Sequence, residues 1–378
     1  MARRAAARLV LRTCLLVAAA TPAVATAAAE AEAFELLGET SVARRLPGSA
    51  APVGGLSGLA FDPGAGTYWA VSDDRSQFAP ARLYELAIDI DTEAARLGGV
   101  EVLQSVELRR VDGSTFPQET IDPESLAPTA SGGWVVASEG HAETGVEPAL
   151  FEFRRDGTWR GEFALPRRYR PRRRAGVRHN LALESAAISP AGRWLFSGTE
   201  NALIQDGEKA SSSAGSPSRL LRIDLATRRL AASYVYWTEP LAAPPAGADF
   251  AVNGLVDLIA LDGERLLALE RSFTRGAGNV VRLFLVDLAR ATDVSRRTRL
   301  RPWRRPRAVT KHLLLDLATL GVKPDNLEGM TLGPELADGR GTLILLADDN
   351  FNPRAQRTQL LVLAFADELL ASIRDEDD

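Results

Sequence analysis

The chain has 378 residues, 46% of them hydrophobic and 25% charged, which is a globular composition and excludes a disordered or fibrous chain. It carries 45 basic and 49 acidic residues, for a formal net charge of −4 at pH 7, which argues against general nucleic-acid binding. Its single cysteine, Cys14, lies near the N-terminus, so the rest of the chain has no thiol for a disulfide or a metal.

The N-terminal segment has the pattern of a secretory signal peptide. Four arginines and no acidic residue occur in the first twelve positions, followed by an apolar run, Leu15–Ala20, and a small-residue cleavage site at Ala23–Ala25 or Ala25–Ala27. The apolar run is much shorter than the roughly 20 residues that a membrane span needs. We therefore expect residues 1–27 to be a signal peptide, and two adjacent arginines weakly indicate twin-arginine export. The mature protein, with a net charge of −8 once these four arginines are lost, would be periplasmic or extracellular, without stable membrane insertion.

An internal repeat dominates the remaining chain. Five segments share a short apolar strand, a turn rich in Pro, Gly or Asp, and a second apolar strand that ends in polar or acidic residues. In chain order these segments are 56–74, 121–139, 183–201, 254–271 and 327–350. They start about 60 to 75 residues apart, which leaves room for four short strands and their turns in each unit.

Further strand-like patterns follow each repeated hairpin. Two follow each of the first four hairpins, at Arg82–Ile90, Val100–Arg109, Ala149–Arg154, Trp159–Leu165, Arg219–Leu225, Leu230–Trp237, Val280–Leu288 and Val309–Leu317. Only Gln359–Phe365 follows the fifth hairpin, and the strand that is missing there is available at Glu35–Leu46. We predict an all-β fold in which a single β-propeller of five four-stranded blades spans 34–366. Its N-terminal strand would close the ring and remove free sheet edges.

Two alternatives to five blades remain open at this stage. A sixth blade would be present if the first or fourth unit contains additional strands. A β-sandwich would also accommodate many short strands, although it would not explain self-similarity at this period. Residues 367–378 are predicted to form a short C-terminal helix and an acidic tail.

Acidic residues recur at two positions of the hairpins that lie at the same end of an antiparallel pair. The first strands begin with Glu124, Glu184, Asp257 and Glu328, with Ser57 in the first unit. The second strands end with Asp73, Asp74, Glu139, Glu200, Glu270, Asp348 and Asp349. If each hairpin is the inner half of a blade, these carboxylates converge at one mouth of the central channel. Crowded carboxylates take up protons or bind cations, and a ligand set of oxygens suits Ca²⁺. Acidic residues also favour strand ends simply because they are well solvated.

Basic residues are concentrated in two segments, Arg167–Arg178 and Arg296–Arg307, each with seven arginines. Chain connectivity predicts the first segment at the acidic mouth and the second, with its Trp303, on the opposite face. Arg75, Arg271 and His141 follow second strands, and we expect them at the mouth. Arginines around a carboxylate-held cation would suit a phosphate ester, although both segments would also be compatible with solvated loops.

The repeated hairpins resemble the phytase-like family, secreted bacterial proteins described as having the esterase-like activity of phytase. The motifs that carry the resemblance are GLSGLAFDP with YWAVSDDR, DPESLA with WVVASEG, NLALESAAISPAG, LLALERSF, and DNLEGMTL with LLADDNF. They extend in order from about Leu56 to Phe365. The resemblance implies a propeller related to Ca²⁺-dependent phytases, which have six blades, and it implies hydrolysis of esters or phosphoesters.

Taken together, these features predict an exported, monomeric, metal-dependent hydrolase that acts on a small anionic substrate, a phosphate ester or related ester. We predict catalytic roles for Glu328, Asp73 and Glu184, and substrate binding by Arg75, Arg271, His141 and Asn350. We predict Ca²⁺ coordination by Asp74, Glu124, Glu139, Glu270, Asp348 and Asp349. A non-catalytic periplasmic propeller that binds a ligand or protein partner is one alternative, and a Ca²⁺-dependent lactonase or sugar-ester hydrolase is another, because propellers host many functions.

Overall fold

The structure is a computed structural model that describes residues 33–247, 250–301 and 305–366. The predicted signal peptide, the predicted C-terminal helix and tail, and Trp303 lie outside the described residues. The described chain forms β-strands and two single turns of 3-10 helix, Arg167–Tyr169 and Leu317–Leu320. Within these residues there is no helix with the length and hydrophobicity that a membrane crossing would need.

The strands form five antiparallel sheets of four strands each. Blade 1 contains β2 (Leu56–Asp62), β3 (Thr67–Ser72), β4 (Arg82–Asp91) and β5 (Arg96–Glu107). Blade 2 contains β6 (Pro123–Pro128), β7 (Trp134–Ser138), β8 (Ala149–Phe153) and β9 (Trp159–Phe163). Blade 3 contains β10 (Ala187–Ile188), β11 (Trp194–Gly198), β12 (Pro217–Asp224) and β13 (Arg229–Trp237). Blade 4 contains β14 (Ala251–Ala260), β15 (Arg265–Thr274), β16 (Gly278–Asp287) and β17 (Thr310–Asp316). Blade 5 contains β18 (Asn326–Leu332), β19 (Gly341–Asp348), β20 (Gln359–Phe365) and β1 (Phe34–Ser41).

The N-terminal strand completes the last blade. β1 runs antiparallel to β20, with Phe34 opposite Phe365 and Ser41 opposite Gln359. The inner strands β2, β6, β10, β14 and β18 contact one another in a ring. The prediction of an all-β, five-bladed propeller closed by an N-terminal strand is therefore confirmed, and the described chain has no sixth blade.

The hydrophobic core is divided among the five interfaces between neighbouring blades. Between blades 1 and 2, for example, the rings of Trp69 and Trp134 lie with their centroids 5.1 Å apart. Because a blade packs against a neighbour on each side, both faces of most of its strands are apolar, and β20 is buried at every position. This explains why the repeats appear in the sequence as short apolar runs. The inner hairpins turn at left-handed glycines such as Gly66 (φ 68°) and Gly192 (φ 67°), a conformation that disfavours other residues.

The inner strands approach one another closely at a constriction of the channel, which we call the waist. It consists of the residue at the equivalent position of each blade, namely Gly58, Ser125, Ser185, Asp257 and Gly329. Blades 1 and 5 have glycine here, and a Cβ on Gly329 would lie only 3.0 Å from the backbone of Gly58. Asp257 connects three blades at the waist, since it accepts hydrogen bonds from the Ser125 hydroxyl (3.2 Å) and the Met330 amide (2.8 Å). The prediction that Asp257 lies among the acids of the mouth is therefore wrong. In blade 4, Val256 occupies the position that Glu124 and Glu328 occupy in blades 2 and 5.

The two arginine-rich segments lie side by side, not on opposite faces as connectivity predicted. The Arg168 guanidinium donates to the carbonyl of Ser295 at 2.6 Å, and the Arg299 guanidinium donates to the carbonyl of Gln205 at 3.0 Å. The connection between β16 and β17 leaves the end of blade 4 and follows the outer strand of blade 3, where the Val294 amide bonds to the Ser233 carbonyl at 2.7 Å. Connectivity predicts where a loop begins, but a loop of this length can cover a neighbouring blade.

Candidate active site at the channel mouth

A β-bulge near the start of the inner strand recurs in four of the blades and places side chains at the channel mouth. One extra residue is inserted at the equivalent position of blades 1, 2, 4 and 5. The inserted residues are Ser57, Glu124, Val256 and Glu328. A bulge redirects a side chain from its usual place on the pleated sheet, and here it turns Glu124 and Glu328 into the mouth.

Eight buried or nearly buried carboxylates from four blades converge there, and we call them the mouth cluster. Its members are Asp73, Asp122, Glu124, Glu139, Glu184, Glu200, Glu328 and Asp348. The charges act on one another across the channel. Glu328 of blade 5 raises the pKa of both Asp73 in blade 1 and Glu124 in blade 2, after the larger effect of burial.

Burial raises the pKa of several of these carboxyls above the usual range, so that they stay protonated at a higher pH. It raises the pKa of Glu200 to about 8 and that of Asp122 to about 6. Burial, followed by repulsion from neighbouring carboxylates, raises the pKa of Glu184 well above 4.5, and its carboxyl is hydrogen-bonded to that of Glu139. The cluster therefore holds protons at neutral pH unless a cation replaces them.

Two arginines lie among the eight carboxylates. Arg75 pairs with Asp122 at 2.8 Å and donates to the amide oxygen of Asn180 at 2.7 Å. Arg271, from blade 4, pairs with Glu328 at 2.8 Å and lies 3.8 Å from Glu200. Two guanidinium groups do not balance eight carboxyl groups, so the mouth takes up further positive charge, as protons or as a bound cation.

Three members of the mouth cluster, which we call the carboxylate triad, fit a metal ion. Oxygen atoms of Asp122, Glu124 and Glu139 all lie within 4.8 Å of one another. Asp122 Oδ1 is buried without a hydrogen-bond partner, as are Asp73 Oδ1 and Glu200 Oε1. Unpartnered buried oxygens are costly, and a set of carboxylates without thiolate or imidazole suits a hard cation such as Ca²⁺.

A cavity of about 1250 Å³ opens beside the mouth cluster. Glu200, Arg271, Glu328 and Asn350 line it on the side of the cluster. Its other walls carry polar, basic and aromatic side chains, including His179, Asn180, Lys209, Phe250, Phe273, Lys323 and Arg354. The cavity thus presents several cations to an entering molecule next to the buried carboxylates.

Three carboxylates predicted to bind Ca²⁺ are not part of the mouth cluster. Asp74 pairs with Arg82 at 2.6 Å and accepts backbone amide bonds from 77–79. Glu270 accepts from the Tyr236 hydroxyl at 2.7 Å and pairs with Lys311 at 2.5 Å. The third, Asp349, pairs with Arg44 and accepts from the amides of Gly55 and Phe351. All three already have partners within the protein, so they lie outside the mouth cluster, and their Ca²⁺-binding role stays a prediction.

The remaining predicted residues divide between the cavity and its rim. The ring of His141 lies against that of His179, with centroids 4.7 Å apart, and its Nδ1 accepts from the Thr144 amide. It is His179, not His141, that lines the cavity. Asn350 lines the cavity from a left-handed backbone conformation, φ 46°. Of the three carboxylates predicted to be catalytic, Glu328 lines the cavity, whereas Asp73 and Glu184 belong to the mouth cluster without lining it.

Sequence reasoning assigned no role to several residues of this site. Asp122 precedes Glu124 by two positions, and alternate residues of an extended chain lie on the same side. This spacing could have identified Asp122 from the sequence. Glu200 was recognised as an acid at a strand end but was given no role. Lys209, Lys323 and Arg354 come from separate loops, and no pattern in the sequence connects them.

The fold and the site define a five-bladed β-propeller with an acidic pocket at one end of its channel. A family model described as "Phytase-like: Esterase-like activity of phytase" matches residues 51–351, and the chain belongs to this phytase-like family. Comparison with curated proteins found no match.

Solved propeller structures are similar to the chain only at a low level. An endo-arabinase from Bacteroides thetaiotaomicron is 10% identical, with 83% of this chain and 94% of that chain covered and a TM-score of 0.43. The Dos1 propeller is 8% identical, with 84% and 69% covered and a TM-score of 0.37. The periplasmic gluconolactonase PpgL of Pseudomonas aeruginosa is 15% identical, with 85% and 88% covered and a TM-score of 0.32. We draw no function from similarity at this level.

Proposed function

We propose that the protein is a metal-dependent hydrolase of phosphate esters or related esters. The observation that carries the proposal is the carboxylate triad, with an unpartnered buried oxygen on Asp122, beside a cavity lined by cations. Membership of the phytase-like family supports the same class of reaction. Export and action as a monomer are further parts of the proposal, and export is supported by the signal-like pattern of residues 1–27.

Asp122, Glu124 and Glu139 would hold the ion, and Ca²⁺ is the cation that their oxygen ligands favour. When bound, such an ion polarises an ester oxygen and lowers the pKa of a coordinated water. The chain supplies the remaining functions. Arg271 lines the cavity and can bind the anionic group of the ester, while Lys209 and Lys323 attract the substrate from the other walls.

Proton transfer can be provided by the carboxyls of the cavity. Glu200 lines the cavity, and burial raises its pKa to about 8, so that it carries a proton at neutral pH. A protonated carboxyl in this position can donate to the oxygen of a leaving alcohol. Glu328 lines the same cavity and is held by Arg271 at 2.8 Å, which orients it toward a bound ester.

The test measures turnover and metal binding separately. The protein beginning at Ala28 would be assayed on phytate, p-nitrophenyl phosphate, short acyl esters and a lactone, with Ca²⁺ and after chelation. We expect phosphate- or acyl-ester turnover that is lost on chelation and that Glu124→Gln lowers by about 10- to 100-fold. Ca²⁺ should also raise the melting temperature of the wild-type protein and have a smaller effect on the variant.

Glu101→Gln provides the matched control, because Glu101 is an exposed carboxylate on β5, the outer strand of blade 1, which carries no mouth residue. It should leave turnover and the Ca²⁺-dependent melting shift unchanged. Turnover of the lactone alone would overturn the substrate class. A Ca²⁺ effect on melting with no turnover on any substrate would favour a non-catalytic binding protein.

A further inference from the structure

The strongest concentration of positive charge in the described chain lies away from the mouth cluster and plays no part in the proposed hydrolysis. It consists of residues 167–174 and 294–301, which we call the arginine flank. The Arg168–Ser295 hydrogen bond joins the two segments directly, and Gln205 bridges them, since its carbonyl accepts from Arg299 and its side chain donates to the Arg168 carbonyl at 3.2 Å. Val294 and Leu300 pack there against Val235 of β13, so the arrangement is anchored by apolar contacts.

Most arginines of the flank have no acidic partner. Neither 164–182 nor 294–309 contains a single Asp or Glu in the sequence. Among the described residues, six exposed arginines of the flank form no ion pair with a carboxylate, namely Arg167, Arg172, Arg173, Arg174, Arg296 and Arg299. These six side chains line neither the large cavity nor the smaller one beside it.

Three acidic groups that contact or adjoin the flank already have partners within the protein. Asp206 is fully buried against Arg219 at 2.5 Å and accepts the amide of Leu300. Glu147 pairs with Arg170 at 3.1 Å, and Asp293 accepts the amides of Ser233 and Ser295. Folding therefore brings the six exposed arginines together with few nearby carboxylates, in a protein whose overall charge is negative. Such repulsion opposes folding and is offset when a polyanion binds.

An exposed aromatic residue lies next to the flank. Trp237, at the end of β13, keeps 49% of its surface exposed, although tryptophan is usually largely buried. It follows Val235 by two residues and so points to the same side of the strand, toward the connection that carries the second arginine segment. Lys311 donates to the Trp237 carbonyl at 3.0 Å, but its charge is already paired with Glu239 and Glu270, so it is not counted in the flank.

From these observations we propose that the arginine flank, together with Trp237, binds the surface of a membrane that contains anionic phospholipids. Guanidinium groups bind lipid phosphates, and an exposed indole ring is suited to the headgroup region of a bilayer. The charges are spread over an outer wall and do not surround a pocket, which favours an extended surface over a small anion. The indole ring favours a bilayer over a nucleic-acid duplex, which offers no comparable interfacial region.

The test is cosedimentation with lipid vesicles. Because β1 begins at Phe34, the protein beginning at Ala28 keeps every described strand and lacks the arginines and the apolar run of the N-terminal segment. We expect it to bind vesicles of phosphatidylcholine mixed with phosphatidylglycerol, to bind phosphatidylcholine alone far more weakly, and to dissociate at high salt. Reversing three charges with Arg172→Glu, Arg173→Glu and Arg174→Glu should weaken binding by about two orders of magnitude.

Two further variants make the test specific. Trp237→Ala should weaken binding several-fold while leaving its dependence on salt unchanged, because it removes no charge. The matched control reverses three exposed arginines outside the flank, Arg45→Glu, Arg110→Glu and Arg229→Glu, and should retain most of the binding. Equal loss in the control and flank variants would overturn the proposal, as would absence of binding to anionic vesicles. Binding to duplex DNA that is tighter than binding to vesicles would overturn the choice of partner.

Discussion

Neighbouring residues at the channel mouth have different surroundings, as Asp73 and Asp74 illustrate. Asp73 belongs to the mouth cluster and has a buried oxygen without a hydrogen-bond partner, whereas Asp74 forms an ion pair with Arg82. The same division separates Asp348 from Asp349, which pairs with Arg44. Alternate side chains of an extended chain point in opposite directions, so one residue of each acidic pair faces the channel and the other holds a loop.

Glu200 gives the protein a pH dependence whose sign follows from its surroundings. Burial raises its pKa from 4.5 to about 8, so the folded protein binds this proton more tightly than the unfolded chain. Its contribution to stability is complete below about pH 4.5 and is lost as the pH rises to about 8. Asp122 acts in the same direction between 3.8 and about 6. We expect the free energy of unfolding of the chelated protein to fall by a few kcal/mol between pH 5 and 8.

Chemical denaturation at a series of pH values would measure this effect. Glu200→Gln should flatten the upper part of the pH profile, and Glu101→Gln should leave the profile unchanged. Added Ca²⁺ should reduce the loss of stability at high pH, because it replaces the missing protons. A stability that increases with pH across this range would contradict the assignment.

The inner strand is the element that produces the site. Its bulge turns Glu124 and Glu328 into the mouth, and the next residue of each bulged strand contributes to the waist. In blade 4 the bulged residue is Val256, and that blade supplies Arg271 in place of a carboxylate. A repeated element thus forms an asymmetric site through differences at two positions per blade, the bulge of the inner strand and the end of the second strand.

Gly58→Ala tests how closely the inner strands must pack. A Cβ at this position would lie 2.7 Å from Cα of Ser125 and 2.9 Å from the carbonyl oxygen of Glu124. We expect a loss of about 1–3 kcal/mol in unfolding free energy, together with weaker Ca²⁺ binding because the Glu124 backbone must shift. The control is Gly99→Ala on β5, where a Cβ would meet no atom within 4 Å. Equal stability of the two variants would show that the waist is not tightly packed.

Ring closure is the property of the whole molecule on which the site depends. Mouth residues from all five blades keep their positions only while the blades remain in a ring. β1 covers the edge of β20, and its Phe34 packs between blades 4 and 5. Without β1, blade 5 would expose a free strand edge, which promotes aggregation.

Truncation tests closure directly. A protein beginning at Ala43 lacks β1, and we expect it to aggregate or to unfold without a cooperative transition. Loss of a single buried phenylalanine side chain costs about 3–5 kcal/mol, and whole domains are stable by only about 5–15 kcal/mol. The protein beginning at Ala28 serves as the control, with size-exclusion chromatography and thermal melting as the measurements. Equal melting temperatures for the two proteins would contradict a closing role for β1.

The number of blades and the way the ring closes could be predicted from the sequence, because both depend on local pattern. Each inner hairpin has its own apolar runs and turn residues, and the unpaired strand at Gln359–Phe365 required a partner from the N-terminus. The convergence of acids such as Glu124, Glu139 and Glu328 also followed from hairpin geometry. These inferences needed only the periodicity of strands and the antiparallel pairing within a hairpin.

The tertiary structure decided which acids of that pattern face the channel and where the long connections lie. Asp74, Glu270 and Asp349 match the pattern of the mouth cluster, but their charges are taken up by Arg82, Lys311 and Arg44 from other parts of the chain. Likewise, the loop after β16 reaches blade 3 through contacts that form only when blades 3 and 4 stand side by side. Strand pattern is a property of neighbouring residues, whereas ion pairing, burial and loop docking depend on residues brought together only by folding.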